Sequence, residues 1–374
     1  MHPANPTESM DGMPPDASAE ANGASDALPD ALPDALLERE LEAAIDELDD
    51  RAPMLQRMAR FHLGWTDSSG VPTDAKTRAR IQGKRIRPVL AMLSCTAAGG
   101  DAAAAAPLAA AIELLHNFTL IHDDIQDRSP NRRHRATVWR VWGDAQAINA
   151  GDAMFAAAQI ALLRADPAKV QPGLMVDLLR EFNRATIRIV QGQVLDLEYE
   201  GRSDATPEQY LSMIAGKTAA IVRFAAWAGA RIGGAPVAVA DRLGDFGDAL
   251  GVGFQVRDDL LGIWGSREET GKDQADDIRR RKQSLPILLL RNRASDRELA
   301  RIVELYGGDE IDDAGIATII ELLDAHGIRN EASRQVELFH ERAATALAEM
   351  RALLQPGPVQ ELGKLVRRLE ARPA

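Results

Sequence analysis

Two pairs of adjacent aspartates have the residue types and spacing of a metal site. The first pair lies in the run HNFTLIHDDIQD, from His116 to Asp127. On a helix, positions 116, 120, 123 and 127 share one face, because their 4-3-4 spacing follows the 3.6-residue turn. Asp123 and Asp127 on that face repel each other unless a cation lies between them. Mg²⁺ commonly bridges such a carboxylate and a substrate phosphate.

The second pair, Asp258 and Asp259, lies in the apolar run GVGFQVRDDLLG at residues 251–262. Charge among apolar residues is costly unless it is paired or ligated. The first run alone is as compatible with a solvated helix end as with a metal site. Two such pairs on separate helices favour a cleft with metal ions held between two walls.

Basic residues cluster along the same stretch of chain, although the net charge is −12. Such a protein repels nucleic acid in bulk, so any anion must be bound by local cations. The clusters are GKRIRP at 83–88, Arg132-Arg133, Lys217-Thr218, Gly271-Lys272-Asp273 and Arg279 to Lys282. Each alone is more often a solvated surface, but together they predict a site for two polyanions. No Walker loop or Rossmann fingerprint is present, so a kinase or ATPase would lack its usual parts.

The elements that carry these residues are predicted to be helices. Alanine and leucine dominate, aromatic residues make up 4%, and strand-like alternation is scarce. Helical segments are expected at 36–63, 76–97, 104–127, 145–164, 171–199, 207–231, 237–264, 283–293, 296–305, 312–325, 329–353 and 357–371. We expect one all-helical domain over residues 34–374. The Pro-, Ala-, Asp- and Ser-rich residues 1–33 are expected to be a disordered tail.

Cysteine content and hydropathy favour a cytoplasmic protein. Cys95 is the only cysteine, so an internal disulfide is excluded and a reducing compartment is favoured. No stretch reaches the roughly 18 uncharged apolar residues that span a bilayer; residues 101–115 come nearest, and Glu113 interrupts them. The first residues also lack the basic start and apolar run of a signal peptide. Stable membrane insertion is not expected.

Taken in order, the motifs resemble those of the trans-isoprenyl diphosphate synthase (polyprenyl synthetase) family over roughly residues 80–290. The motifs are GKRIRP, ELLHNFTLIHDDIQD, RR, GQVLD, KT, GFQVRDD and GK. The resemblance implies an all-α helical bundle around a central cleft. It also implies a homodimeric enzyme that joins isopentenyl diphosphate to an allylic diphosphate. Magnesium, with three ions per active site, would assist ionisation of the allylic substrate.

The resemblance also assigns roles to individual residues. Those implied to hold magnesium are Asp123, Asp127 and Asp258, which are counted as catalytic together with Lys217. Those implied to support them or line the cleft are Asp124, Asp259, Gln193 and Asp196. Those implied to bind the allylic diphosphate are Arg132, Lys217, Lys272, Thr218 and Gln255. Those implied to hold the diphosphate of isopentenyl diphosphate are Lys84, Arg87, His116 and Arg133.

The sequence departs from the family pattern at three positions. Gln82 and His134 replace glycines, and Gly262 stands where the second motif usually has a third aspartate. Only Gly262 removes a carboxylate. Because the resemblance gives Asp258 the principal ligand role, we expect activity to survive and Gly262→Asp to change it only modestly. A helix C-cap is the ordinary explanation for a glycine at this position.

Two alternatives remain beside the synthase hypothesis. A class I terpene cyclase would share the fold and an aspartate-rich motif but would not use a second diphosphate site. A non-catalytic subunit of a heteromeric synthase would explain Gly262, yet such subunits usually lose the first motif as well, which is intact here.

Product length is expected to depend on Phe118 and Thr119, the fifth and fourth residues before Asp123. By resemblance, this pattern is typical of synthases of geranylgeranyl diphosphate, the C20 product. A packed core phenylalanine is the alternative explanation of Phe118, because an ideal helix places it away from the aspartate face.

Overall fold

The structure is a computed structural model that describes residues 34–48, 51–83, 85–133, 135–199, 202, 204–266, 275–308 and 311–370. All of these residues belong to one compact unit, residues 32–374. The predicted tail, residues 1–33, lies outside the described residues. So do Lys84, His134 and Lys272.

Helices form nearly all the regular structure of the described residues, which confirms the all-α prediction. In chain order they are α1 Asp34–Asp46, α2 Pro53–His62, α3 Ala75–Gln82, α4 Ile86–Ala97, α5 Ala102–Gln126, α6 Val138–Trp142, α7 Asp144–Leu163, α8 Pro172–Tyr199, α9 Pro207–Ile214, α10 Ala220–Ile232, α11 Val237–Trp264, α12 Asp276–Arg279, α13 Leu285–Arg293, α14 Asp296–Gly307, α15 Asp313–Ala325, α16 Ile328–Glu349 and α17 Pro356–Glu370. A π-helix, Ala215–Ala219, joins α9 to α10, and a 3₁₀ helix, Arg351–Leu353, precedes α17. Strands β1 Asn131–Arg132 and β2 Arg135–Ala136 form a small antiparallel hairpin.

Helix α5 lies at the centre of the bundle, where it contacts α1, α4, α7 and α10. Its alanine-rich first half is fully buried from Ala105 to Leu115 except for Glu113, which is 6% exposed. Small side chains let the surrounding helices approach closely on all sides. By length and composition α5 could cross a membrane, but 72% of its most apolar window is buried inside the protein. The same pattern is typical of the core helix of a soluble protein.

Two predicted helical segments are each divided in the structure. The segment 76–97 breaks between α3 and α4, where Gly83 has φ +69° and Arg85 has φ 45°. Pro88 lies in the first turn of α4, where a missing backbone N–H costs nothing. The segment 36–63 likewise divides into α1 and α2. Both breaks leave a helix that contacts α5, namely α1 and α4.

Close contact between α4 and α10 depends on Gly229. A Cβ atom at this position would lie 2.1 Å from the carbonyl oxygen of Ala91 in α4. Backbone atoms on one helix therefore occupy the space that any side chain on the other would need. The two helices contact each other beside α5, so their spacing also fixes the walls around it.

We expect Gly229→Ala to lower the free energy of unfolding by about 1–3 kcal/mol, because the added methyl group must push α4 and α10 apart. Thermal and urea denaturation would measure the loss. Gly307→Ala is the matched control, since a Cβ there meets nothing within 4 Å. It should be neutral or stabilising by roughly 0.5–1 kcal/mol, the usual helix preference for alanine. Equal effects at both positions would contradict the close-contact argument.

Candidate active site

A cavity of about 550 Å³ opens among α4, α5, α8, the π-helix and α11. Its wall brings together most of the residues singled out in the sequence. The predicted residues that line it are Arg87, His116, Phe118, Thr119, Asp123, Arg132, Arg133, Gln193, Lys217, Thr218, Gln255 and Asp258. Asp124, Asp127, Asp196 and Asp259 are not part of that lining. Lys84 and Lys272 cannot be placed relative to the cavity, because they lie outside the described residues.

The carboxyl end of α5 carries the first acidic motif into the cavity. Burial raises the pKa of Asp123 to about 6; Lys217 opposes the rise and Asp127 adds to it. Burial likewise raises the pKa of Asp127, which caps the helix. The end of a helix already presents partial negative charge, so two carboxylates there are unfavourable without a cation. This end of the cavity is therefore electrostatically suited to positive charge.

Asp124 faces away from the cavity and positions an arginine. It is 2% exposed; its Oδ1 accepts a hydrogen bond from Nε of Arg132 at 2.9 Å and lies 2.9 Å from Nη2 in an ion pair. Arg132 lies in strand β1 and lines the cavity. The hairpin, which the sequence did not predict, is thus held against α5 by a partly buried ion pair. Of the neighbouring acids in this motif, Asp123 faces the cavity and Asp124 supports a cation beside it.

The π-helix carries Lys217 and Thr218 into the opposite wall. A Cβ at Gly192 in α8 would lie 2.2 Å from the backbone nitrogen of Lys217, so the two backbones are in direct contact. Lys217 Nζ lies 2.5 Å from Asp196 Oδ2, also on α8. Thr218 Oγ1 donates a hydrogen bond to Gln255 Oε1 of α11 at 2.9 Å. π-Turns inside helices often mark functional sites, because they re-aim consecutive side chains.

The second acidic pair divides between the cavity and the core. Asp258 lines the cavity, whereas Asp259 is 0% exposed. Asp259 accepts hydrogen bonds from the Tyr210 hydroxyl and, at 3.2 Å, from the Leu285 backbone N–H. Lys282 Nζ lies 3.1 Å from its Oδ1. Asp259 therefore fixes the acidic turn of α11 to α9 and α13, which leaves Asp258 for the cavity.

Gly262 lies inside α11, and its surroundings explain why it has no side chain. It is not among the glycines with positive φ, so the C-cap explanation is wrong. A Cβ built on Gly262 would lie 2.3 Å from Oδ2 and 2.4 Å from Cγ of Asp277. Any side chain at 262 would have to displace that carboxylate. The expected tolerance of Gly262→Asp is therefore also corrected.

The other end of the cavity is cationic. Arg87 Nη1 and His116 Nε2 lie 3.3 Å apart, and Arg133 lines the same wall. Burial lowers the pKa of His116 well below its ordinary value, and Arg87 and Arg133 lower it further. The imidazole is thus neutral at physiological pH and offers a hydrogen bond without adding charge. Glu113 is the acidic residue that raises the pKa of Arg87 most, against the lowering effect of burial.

Several lining residues had no individual role assigned from the sequence. The polar ones include Gln82, Arg85, Glu113 and Gln126, and the apolar ones are Ile189, Val190, Val194, Leu197, Ile221 and Phe254. Gln193 Nε2 donates to Gln126 Oε1 at 2.8 Å, which ties α8 to α5. Because Gln126 lies within the first acidic motif, its place beside Asp127 could have indicated that it lines the same cavity. The apolar residues carry no signal in one sequence beyond helical periodicity.

Phe118 lines the cavity and begins a row of aromatic rings. Its ring centroid is 5.3 Å from that of Phe155 on α7, which is 6.3 Å from Phe182 on α8. Phe182 is in turn 5.7 Å from Phe224 on α10. Phe118 is only partly buried and lines the cavity, which favours a wall over a fully packed core position.

The donor chemistry fits a divalent cation shared with a substrate. Asp123 and Asp258 supply hard oxygen ligands on two walls of one cavity. Within the described residues, no group of three or more His, Cys, Asp or Glu side chains is arranged to hold an ion by itself. Magnesium typically binds one or two carboxylates and takes its remaining ligands from water and substrate phosphate. Such a partial protein ligand set fits magnesium better than a fully enclosed metal site.

Comparisons with known proteins agree with this geometry. The family model Polyprenyl synthetase matches residues 74–323. A (2E,6E)-farnesyl diphosphate synthase of Mycobacterium tuberculosis is 40% identical over 293 residues, 78% of either chain. A geranylgeranyl diphosphate synthase of the same organism is 36% identical over 318 residues, 84% of this chain and 87% of the relative. The crystal structure of a polyprenyl synthetase from Streptomyces coelicolor A3(2) superposes with a TM-score of 0.79 at 34% identity, covering 90% of this chain and 98% of its own. The chain belongs to the polyprenyl synthetase family.

Proposed function

We propose that this enzyme condenses isopentenyl diphosphate with an allylic diphosphate to give a short-chain all-trans prenyl diphosphate. One observation carries the proposal: a single cavity is lined both by carboxylates and cations and by apolar and aromatic side chains. The charged groups suit two diphosphates, and the apolar groups suit a growing hydrocarbon. The relatives named for farnesyl and geranylgeranyl diphosphate synthesis support the same reaction class.

We infer that the cofactor is Mg²⁺, with three ions per site by family resemblance. Asp123, Asp127 and Asp258 are the residues that would hold it. When bound, the metal would neutralise the leaving diphosphate and so favour ionisation of the allylic C–O bond. Burial raises the pKa of Asp123 to about 6, so a cation bound beside it would favour the ionised carboxylate.

The basic residues of the chain form two groups, and each group would bind the diphosphate of one substrate. Arg132, held by Asp124, and Lys217, held by Asp196, lie near the first acidic motif and would bind the allylic diphosphate. The cationic end, formed by Arg87, His116 and Arg133, would hold isopentenyl diphosphate. Neutral His116 would donate a hydrogen bond to this diphosphate and would leave the positive charge to Arg87 and Arg133. Lys84 and Lys272 are assigned to these two sites on sequence resemblance alone.

The reaction then needs orientation more than a nucleophilic side chain. Diphosphates held by these two groups of cations would place the double bond of one substrate near the allylic carbon of the other. The new C–C bond forms as the allylic C–O bond breaks, and a proton is lost, which the departing diphosphate can accept. The apolar side chains of α8 that line the cavity would shield the allylic cation from water once the substrates are bound.

The synthase assignment is tested by incubating the purified protein with Mg²⁺, isopentenyl diphosphate and each short allylic diphosphate, then measuring product length. We expect Asp123→Ala and Asp127→Ala to reduce kcat by at least about 10²-fold, as loss of a charge-stabilising group in an active site does. Asp324→Ala, an exposed aspartate near the end of α15, is the matched control and should be neutral.

Three outcomes would contradict this assignment. Near-normal turnover of both variants at saturating Mg²⁺ would exclude the metal-binding role. Cyclisation of an allylic diphosphate without isopentenyl diphosphate would favour a class I terpene cyclase. A wild-type chain that is inactive until a second protein is added would favour the non-catalytic subunit.

We further propose that the product is C20 and that Phe118 forms the floor against which its tail stops. Phe118→Ala should therefore lengthen the product by at least one five-carbon unit. Stability should fall by less than the roughly 3–5 kcal/mol of a fully buried ring, because Phe118 is only partly buried. Product chromatography beside the melting temperature measures both.

Phe246→Leu provides the control, because Phe246 is fully buried on α11 and does not line the cavity. It should lower the melting temperature without changing product length. An unchanged product from Phe118→Ala would make Phe118 a packing residue and would leave Thr119, also in the lining, as the candidate determinant.

We propose that the enzyme is a homodimer whose interface includes α7 and α8. These helices contact each other and expose large apolar side chains, Ile148 at 45%, Val176 at 54% and Ile187 at 57%. Exposed apolar groups on one face mark interaction sites.

We also propose that the protein is cytoplasmic and has no stable membrane insertion. The proposal rests on the single cysteine, which is buried, and on the burial of α5.

Ile187→Glu should shift the protein from dimer to monomer, because a charge at the centre of an apolar interface loses its hydration. Sedimentation equilibrium would measure the molar mass. Val303→Glu on α14, at a side chain 42% exposed, is the control and should leave the mass unchanged. A monomeric wild type would contradict the proposal.

A further inference from the structure

The break between α3 and α4 carries residues to the cavity in a backbone conformation that needs support. Gly83 has φ +69° and Arg85 has φ 45°. The left-handed region is unfavourable for a residue with a side chain, so surrounding contacts must hold Arg85 there. Gln82, the last residue of α3, and Arg85 both line the cavity. The groups that fix this break therefore also fix part of the cavity wall.

Glu38 of α1 contacts both sides of the break. Its Oε1 accepts a hydrogen bond from Nε2 of Gln82 at 2.9 Å and lies 2.6 Å from Nη2 of Arg85. The side chains of Glu38 and Arg85 are only 20% and 7% exposed, so salt and water screen their attraction little. Glu38 is not part of the cavity lining, so any effect on a substrate must pass through the residues that it holds.

Arg133 packs against the same break. Its Nη1 donates a hydrogen bond to the carbonyl oxygen of Ile81, and a Cβ at Gly83 would lie 3.0 Å from its Cζ. Burial lowers the pKa of Arg133, and the nearby charge of Arg85 lowers it further. Because these two cations repel each other, the carboxylate of Glu38 is needed to keep Arg85 close to Arg133 before an anion binds.

The departure from the family pattern at residue 82 fits this role. The pattern has a glycine at this position, and a glycine has no side chain that could reach Glu38. Gln82 supplies the second of the two contacts that Glu38 makes with the break. The departure therefore strengthens the link between α1 and the wall of the cavity.

We propose that Glu38 is a positioning residue for the site that binds the diphosphate of isopentenyl diphosphate, and that it acts chiefly through Arg85. The proposal rests on the proposed synthase function and deepens it, because it adds α1 to that substrate site. Glu38 holds Arg85 in its left-handed conformation beside Arg133, so these cations keep their places before the substrate arrives. Arg132 and Lys217 are likewise each held by an acid.

Calorimetric titration of isopentenyl diphosphate into the full chain tests the proposal. Mg²⁺ and a saturated analogue of the allylic diphosphate are present, because the analogue cannot form an allylic cation and no turnover occurs. Glu38→Gln should raise the dissociation constant about tenfold, as loss of a charge-assisted contact that orients a binding group does. The direction is diagnostic, because removing a negative charge near an anion site would by itself tighten binding. Glu42→Gln, at an exposed position of the same helix, is the matched control and should bind like the wild type.

The coupling to Arg85 is tested by a double-mutant cycle. In Arg85→Gln, adding Glu38→Gln should change the dissociation constant by less than about twofold, because the carboxylate no longer has a cation to position. In steady-state assays, Glu38→Gln should raise KM for isopentenyl diphosphate and leave KM for the allylic diphosphate within about twofold, whereas a general loss of structure would raise both. Glu38→Asp keeps the charge on a shorter side chain and should lie between the wild type and Glu38→Gln. If Glu38→Gln does not fold, Glu38→Asp gives the same comparison.

Unchanged or tighter binding in the Glu38 variants would overturn the positioning role. An equal rise in both KM values would do the same, as would an undiminished effect of Glu38→Gln in Arg85→Gln. A wild type that does not bind isopentenyl diphosphate at all would instead refute the proposed function. A wild type that binds it while the Glu38 variants bind equally well would leave the function standing and remove Glu38 from the site.

Discussion

The carboxylates at the carboxyl end of α5 need positive charge nearby, and the rest of the site supplies it. The helix dipole and burial both disfavour negative charge there, and burial raises the pKa of Asp123 to about 6. Cations must therefore be brought from elsewhere in the chain. The hairpin delivers Arg132, and the π-helix delivers Lys217. Each cation is steadied by a second acid, Asp124 or Asp196, so the arrangement holds its geometry before any substrate binds.

Backbone contacts make this arrangement rigid. Gly192 lets α8 touch the π-helix at Lys217, and Gly229 lets α10 touch α4. Where two backbones meet, a small shift of one helix must move the other, because protein interiors are close-packed. The helices that carry the charged side chains of the cavity are therefore held firmly in place. Such pre-organisation is what electrostatic catalysis of an ionisation requires.

Much of this architecture follows from the sequence, and the exceptions have physical reasons. The motif order around Asp123 and Asp258 indicated the family, and helical periodicity indicated the all-α fold, both of which are confirmed. The break at Gly83 was missed because positive φ at Arg85 depends on surrounding structure, including its ion pair with Glu38. Adjacent acids looked equivalent in sequence, yet Asp258 faces the cavity and Asp259 the core. The contact of Gly262 with Asp277 joins residues of separate helices, and a single sequence does not show such contacts.

The π-helix has a consequence for how the chain tolerates changes in length. Each α-helical residue advances the chain by about 100° around the axis. A π-turn holds one residue more than an α-turn, so losing one residue between Ala215 and Ala219 would still leave a continuous helix. The helices α9 and α10 would keep their faces toward the bundle, because the π-turn absorbs its extra residue locally. The deletion would instead change the direction of Lys217 and Thr218, which line the cavity. The extra residue between Pro207 and Ile232 therefore sets where two cavity side chains point and leaves the path of the helix unchanged.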